Sequence, residues 1–294
     1  MADALQSSRT ISAGDLCKAS FWRALAPELN VGTIAAGAAT QPQQSHDRLR
    51  RRMAREGYFT DVDPRLKTLA PTIGGAVKRL VQFGLPPVLV WTYDEPWECF
   101  RRLGPVIGNF LGSYKLLPAF WAWHVDPAKG ESGWGPHRDR SVGALAADGS
   151  PLSLTCWIPL SDATPMNGCM YIVPACFDSN YNRPGSTQPM GMQASRALPA
   201  KPGDFLVWNQ AVLHWGSLSS EFADEARMSM ALEFQRGDIE PFQQPLLDNA
   251  ALPPFAVRVR LIARQILQYT HMYRIPERHV QLGQFLSTAQ LYED

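Results

Sequence analysis
The sequence predicts an α+β chain with a mainly β core, a barrel or jelly roll, braced by helices on either side. Two observations carry this prediction. Beyond Trp121, short strand-like runs at 120–125, 152–160, 169–173, 204–208, 212–215 and 228–234 are separated by Gly and Pro, the pattern of a barrel or jelly roll. Before that point Leu66, Leu69, Ile73, Val77, Leu80 and Val81 recur at helix-like intervals, so 47–84 reads as mostly helical. Pro86-Pro87 closes that stretch, and 95–111 supplies another helix. Residues 30–46, rich in Gly, Ala, Thr and Gln, read as a loop or connector. The run 257–267 reads as a helix that could cover the core or join two copies into a homodimer. All 294 residues fit one catalytic domain, with 1–118 mostly helical, 119–236 the core and 237–294 a C-terminal extension.

Composition narrows the function classes. The chain is 45% hydrophobic and has nine Trp, enough for a large core. A net charge of +1 without a long Lys/Arg block argues against nucleic acid or an anionic membrane as the main partner. Arg48, Arg50, Arg51 and Arg52 fit the solvated face of a helix. No window approaches a membrane-spanning run and the first residues lack a signal-peptide pattern, so the expected location is the cytoplasm. The five cysteines show no Cys-x-x-Cys spacing, which suggests neither a disulfide framework nor a zinc ribbon.

His137, Asp139 and His214 carry the chemistry. Gly135-Pro136 ends a loop, and in the extended segment that follows residues two apart share a face, so His137 and Asp139 point together while Arg138 points away. His214 arrives at the end of an apolar run that starts after the Lys201-Pro202-Gly203-Asp204 turn. Two imidazoles and one carboxylate with open positions suit a non-haem Fe(II) centre that activates oxygen. His124-Val125-Asp126 has the same spacing as the dyad, so spacing alone does not choose between the pairs. Further on, Arg227 and Ser229 share one face of an apolar strand, and an Arg in that setting calls for an anion.

The order dyad, Trp157-Ile158-Pro159-Leu160-Ser161-Asp162 through Val173-Pro174, Pro-Gly-Asp turn, distal His and Arg resembles the phytanoyl-CoA dioxygenase family of Fe(II)- and 2-oxoglutarate-dependent oxygenases over about 120–234. In that pattern the dyad stands shortly before the Trp157 strand, which favours His137 over His124. Arg138 between the ligands and Ala175-Cys176-Phe177 after the Val-Pro depart from the usual family residues. The resemblance implies a double-stranded β-helix with its metal at the mouth. It also implies Fe(II) on His137, Asp139 and His214, 2-oxoglutarate held through Arg227, with Trp157 and Ser229 beside it, and O2 as oxidant; ascorbate could stimulate turnover. The implied reaction releases succinate and CO2 and, by default, hydroxylates an unactivated C–H of a small organic molecule. Asp139 speaks against halogenation. The polar loop 178–200 is expected at the mouth, against substrate. A 2-oxoglutarate-independent cupin-like enzyme, a zinc site and a catalytically silent binding module are the competing readings; Arg227 weighs against the first and the intact triad against the last.

Overall fold
Strands buried on both faces read as continuous apolar runs, and the larger sheet of this protein is of that kind. The computed structural model describes residues 11–33, 47–183, 191–271 and 274–293. Much of the expected connector at 30–46 and the centre of the 178–200 loop lie outside the described residues.

The chain begins with the short helix α1 (Ala19–Leu25) and α2 (Asp47–Glu56), followed by β1 (Tyr58–Val62), α3 (Leu66–Gln82), α4 (Asp94–Arg102) and α5 (Gly104–Leu111). The long strand β2 (Tyr114–Val125) opens the core, which continues through β3 (Ser153–Pro159), β4 (Met170–Ile172), β5 (Arg196–Leu198), β6 (Asp204–Asn209), β7 (His214–Gly216) and β8 (Arg227–Arg236). Helices α6 (Phe255–Gln268) and α7 (Glu277–Thr288) complete the fold. The strands form an antiparallel five-stranded sheet in the order β1-β6-β3-β8-β2 and a three-stranded sheet β5-β4-β7. Among the described residues the two sheets do not close into a barrel.

Alternation sorts the side chains of the larger sheet. Phe59, Cys156, Ile158, Phe205, Val207, Met228, Met230 and Leu232 join the helices in one apolar core. Their neighbours Tyr58, Trp157, Leu206, Trp208 and Ala231 pack with Met170 and Ile172 of the smaller sheet in a second. Helices therefore cover one face and the small sheet the other, which is the double-stranded β-helix arrangement.

Three local features depart from the sequence expectation. The helical stretch 47–84 is interrupted by β1, because Gly57 ends α2 at φ +79°, and a Cβ there would lie 2.5 Å from Val212 Cγ2. The expected helix 95–111 is two helices, broken at Leu103. The strand expected at 120–125 starts earlier, at Tyr114, and carries a bulge between Leu116 and Phe120. Buried Gln265 of α6 satisfies that bulge, donating to Pro118 O at 2.8 Å and accepting from Phe120 N–H at 3.2 Å. Among the described residues no helix is long and apolar enough to cross a membrane.

A second tie fixes the C-terminal helices. Arg258 of α6 donates to Pro253 O at 2.6 Å, to Thr92 O at 3.0 Å and to the Asp94 carboxylate, with both side chains almost fully buried. Removing one member of a buried ion pair strands the other charge. Arg258→Ala is therefore expected to lower unfolding stability by about 3–5 kcal/mol in a denaturant titration; a loss below about 1 kcal/mol, the range of an exposed pair, would count against this tie.

Candidate active site
The site lies between the two sheets, and strand register builds it. On β8 the inner face carries Arg227, Ser229, Ala231 and Glu233; across the ladders Ala231 faces Trp157 and Trp121, Ser229 faces Trp123, and Glu233 faces Thr155. His124 stands opposite Met228, on the helix-covered side. It lines a separate groove with Arg278 and His279, away from the dyad.

His137, Asp139 and His214 come together. The backbone N–H of each His donates to the other's carbonyl at 3.0 Å, and the rings stand 4.4 Å apart. Asp139 Oδ1 lies 3.4 Å from both His137 Nε2 and His214 Nε2, and one ligand atom from each residue falls within 4.8 Å of the others. Donors bound about 2.1 Å from one ion at right angles lie roughly 3 Å apart, so the three fit a shared metal. Protonation agrees. Nδ1 of His137 meets Gly135 O at 2.7 Å and Nδ1 of His214 meets Val212 O at 3.1 Å; a carbonyl can only accept, so each Nδ1 carries a proton, and in the neutral imidazole Nε2 keeps the lone pair. Burial lowers His214 to about 4, which keeps that imidazole neutral. Burial alone would raise Asp139, but His214, His137 and the Thr155 hydroxyl hold it well below the ordinary carboxylate range. Its Oδ2 accepts from Thr155 Oγ1 at 2.6 Å and Trp208 Nε1 at 2.9 Å, leaving Oδ1 toward the histidines. Arg138 turns away, donating to Asp178 Oδ2 and Ala211 O, each at 2.6 Å.

Arg227 is 1% exposed. Its Nε donates to Gly168 O at 3.0 Å and its Nη1 to Ser229 Oγ at 2.6 Å, while Nη2 finds no acceptor among the described residues. Burial lowers the guanidinium to about 10, still charged at neutral pH. Gly133 and Gly216 meet beside it; a Cβ on Gly133 would lie 2.8 Å from Gly216 Cα and 2.9 Å from Arg227 Nη2. Trp157 is also buried, lines the cavity and leaves its Nε1 without an acceptor among the described residues. Ser229 meets Arg227 and is not among the residues lining the cavity.

The chain's sequence matches the profile of the phytanoyl-CoA dioxygenase family over residues 30–218. The chain belongs to that family. This phytanoyl-CoA dioxygenase family member is accordingly an Fe(II)- and 2-oxoglutarate-dependent enzyme of the dioxygenase class, with Fe(II), 2-oxoglutarate and O2 as its cofactor and co-substrates. Among solved structures it is similar to the non-heme alpha-ketoglutarate-dependent carbocyclase SnoK from nogalamycin biosynthesis, at 16% identity and TM-score 0.53, covering 72% of this chain and all of that one. The epimerase SnoN, solved with Fe3+, alpha-ketoglutarate and nogalamycin RO, is 17% identical with TM-score 0.51, covering 71% and 95% of the two chains. At these identities the likeness is one of fold. No curated protein sequence gives a significant match.

Several cavity residues escaped the sequence reading: Trp121, Trp134, Trp208, Glu233 and Tyr269 all line it. Glu233 was within reach of the alternation argument, since it continues the face of Arg227 and Ser229. Tyr269 had no local signal. It follows α6 and packs on Trp134 and Trp121 with ring centroids 4.6 and 5.3 Å apart.

The Thr155 and Trp208 hydrogen bonds should orient Asp139 for metal. Thr155→Val is expected to weaken metal binding about ten- to a hundredfold, read by competition with a chelator; an unchanged dissociation constant would show that the hydroxyl orients nothing.

Proposed function
We propose that His137, Asp139 and His214 hold Fe(II), that Arg227 takes the distal carboxylate of 2-oxoglutarate, and that the reaction hydroxylates a C–H of a small organic molecule. The observation that carries this reading is Arg227 Nη2, a buried guanidinium NH2 group with no acceptor among the described residues, in the same cavity as the triad. A buried donor left unmade costs about 1–3 kcal/mol, more when charged, and a carboxylate offers the paired acceptors a guanidinium fits. Trp157 Nε1, likewise unpaired, suits the same acceptor-rich dianion.

Within this reading each side chain has one task. The Nδ1–H bonds of the two histidines aim both Nε2 lone pairs at one point, and Thr155 with Trp208 leaves Asp139 Oδ1 free to complete the set. Ser229 and Gly168 O fix the guanidinium, and Gly133 with Gly216 leaves space beside it. Aromatic walls from Trp121, Trp134 and Tyr269 keep bulk water from the substrate side. Fe(II), 2-oxoglutarate and O2 together supply oxidative decarboxylation to succinate and CO2 with transfer of one oxygen atom to the substrate carbon. The carboxylate ligand Asp139 leaves no ligand position for a halide in its place, which favours hydroxylation over chlorination.

Anaerobic titration of the Fe(II)-loaded protein with 2-oxoglutarate tests the assignment through the visible charge-transfer band of a chelated 2-oxo acid. Wild type is expected to show the band, and Arg227→Ala to need on the order of thirtyfold more co-substrate or worse. Gly133→Ala should raise the 2-oxoglutarate requirement, because its Cβ would lie 2.9 Å from Arg227 Nη2 as well as 2.8 Å from Gly216 Cα. No band in folded, iron-loaded wild type would overturn the reading. Hydroxylation itself is read from labelled dioxygen appearing in the product, matched by succinate.

A further inference from the structure
The cavity has a second polar end that the co-substrate reading does not use. Glu233 lies six positions beyond Arg227 on the same face of β8, which at ~3.3 Å per residue places the two Cα atoms roughly 20 Å apart. Both line the cavity, as do Asp139 and the two histidines.

The Glu233 carboxylate is held on one oxygen and open on the other. Oε2 accepts from Gln210 Nε2 at 2.6 Å, whereas Oε1 accepts no hydrogen bond from the described residues. Arg140 is close enough for its charge to be felt, yet its guanidinium lies 3.7 Å over the Phe242 ring and forms no ion pair with Glu233. Gln210 also donates to Thr155 Oγ1 at 3.3 Å, and Thr155 donates to Asp139 Oδ2 at 2.6 Å. A short chain of hydrogen bonds therefore fixes Glu233 relative to Asp139. Burial first, then the charge of Asp139, raises Glu233 to about 8 against Gln210 and Arg140. Trp121, Trp134, Tyr269 and Ala231 line the same cavity, and Tyr269 stands close enough to feel the charge of Glu233.

We infer that Glu233 is the substrate-positioning residue, and that the substrate is a ring-bearing alcohol or phenol whose hydroxyl pairs with Glu233 Oε1 while its ring packs against Trp121, Trp134 and Tyr269. This rests on the reading of the triad as the metal centre. A hydroxyl both donates and accepts, so it pairs with the carboxyl group in either protonation state, and the aromatic walls reward a flat apolar body. Held at Glu233, the ring reaches the metal position with a fixed orientation, which selects the carbon that reacts.

The probes are 2-phenylethanol, phenethylamine and ethylbenzene, which share a ring and differ in one group. Binding to the holoenzyme, without oxygen, is followed by tryptophan fluorescence in wild type, Glu233→Leu and Glu233→Gln, with the 2-oxoglutarate band recorded on the same samples. Wild type should bind the alcohol about tenfold or more tighter than ethylbenzene, the size of one hydrogen bond to a buried group. Glu233→Leu should erase that gap and Glu233→Gln, which keeps an acceptor, should retain most of it. The band should be the same in all three proteins. Equal binding of alcohol and ethylbenzene by wild type, a gap that survives in Glu233→Leu, tighter binding of the amine than of the alcohol, or no binding of any probe would each overturn the inference. A missing band in wild type defeats the metal reading separately, since probe binding needs no turnover.

Discussion

The loop that carries His137 and Asp139 is tied to the smaller sheet by a reciprocal pair of backbone hydrogen bonds, His137 N–H to His214 O and His214 N–H to His137 O, with a further one from Gly216 N–H to Trp134 O. A reciprocal pair of this kind puts two residues directly opposite each other, with their side chains on the same side of the ladder. Both imidazoles are thus brought together by the main chain before any side-chain preference acts, and a residue two positions from His137 follows to the same side. The carbonyls of Gly135 and Val212, each two residues before its histidine, then choose the tautomer. Most of the metal-ready geometry is a property of backbone pairing, and the side chains supply donor atoms to a frame already in place.

What could be read in advance follows from how local each signal is. The His-x-Asp spacing after Gly-Pro, the turn before β6 and the Arg227–Ser229 alternation are short patterns that survive any error in distant elements. The choice between His124 and His137 was not local; it needed the family pattern, and register gives the physical reason, since His124 falls on the helix-covered face of β2. β1 was hidden because apolar residues of helical spacing continue past it, and only Gly57, with a positive φ and Val212 pressed against it, breaks the helix. β5 is three residues long and exists by pairing with β4, too short to carry a period of its own. Glu233 obeys the same alternation as Arg227, but an acidic residue in a mostly apolar strand reads as solvent-facing until the facing sheet is known. Tyr269 depends on how a helix from the end of the chain packs, which no neighbouring residue announces.

The C-terminal extension lies beyond the stretch matching the family profile, yet it belongs to the site. Gln265 closes the backbone gap in the β2 bulge, immediately before the cavity residues Phe120 and Trp121. Arg258 ties the same helix to Asp94, whose carboxylate also receives the backbone N–H groups of Gly32 and Thr33. One helix thus joins the N-terminal segment, the bulged strand and the aromatic wall, so the shape of the cavity is set partly by residues outside the shared family core.

The unpartnered Nη2 of Arg227 gives co-substrate binding a role in the folded state itself. A guanidinium buried with its Nη2 donors unmade is a standing cost to the native chain, and an anion that pairs with them removes that cost only in the native chain, because the unfolded form has no such enclosure. Binding and folding then draw on the same free energy, rising with the logarithm of ligand concentration above its dissociation constant. On the proposed reading, the metabolite that supplies the electrons for oxygen activation also acts as a ligand chaperone, so that the working life of the enzyme would follow the cellular level of 2-oxoglutarate.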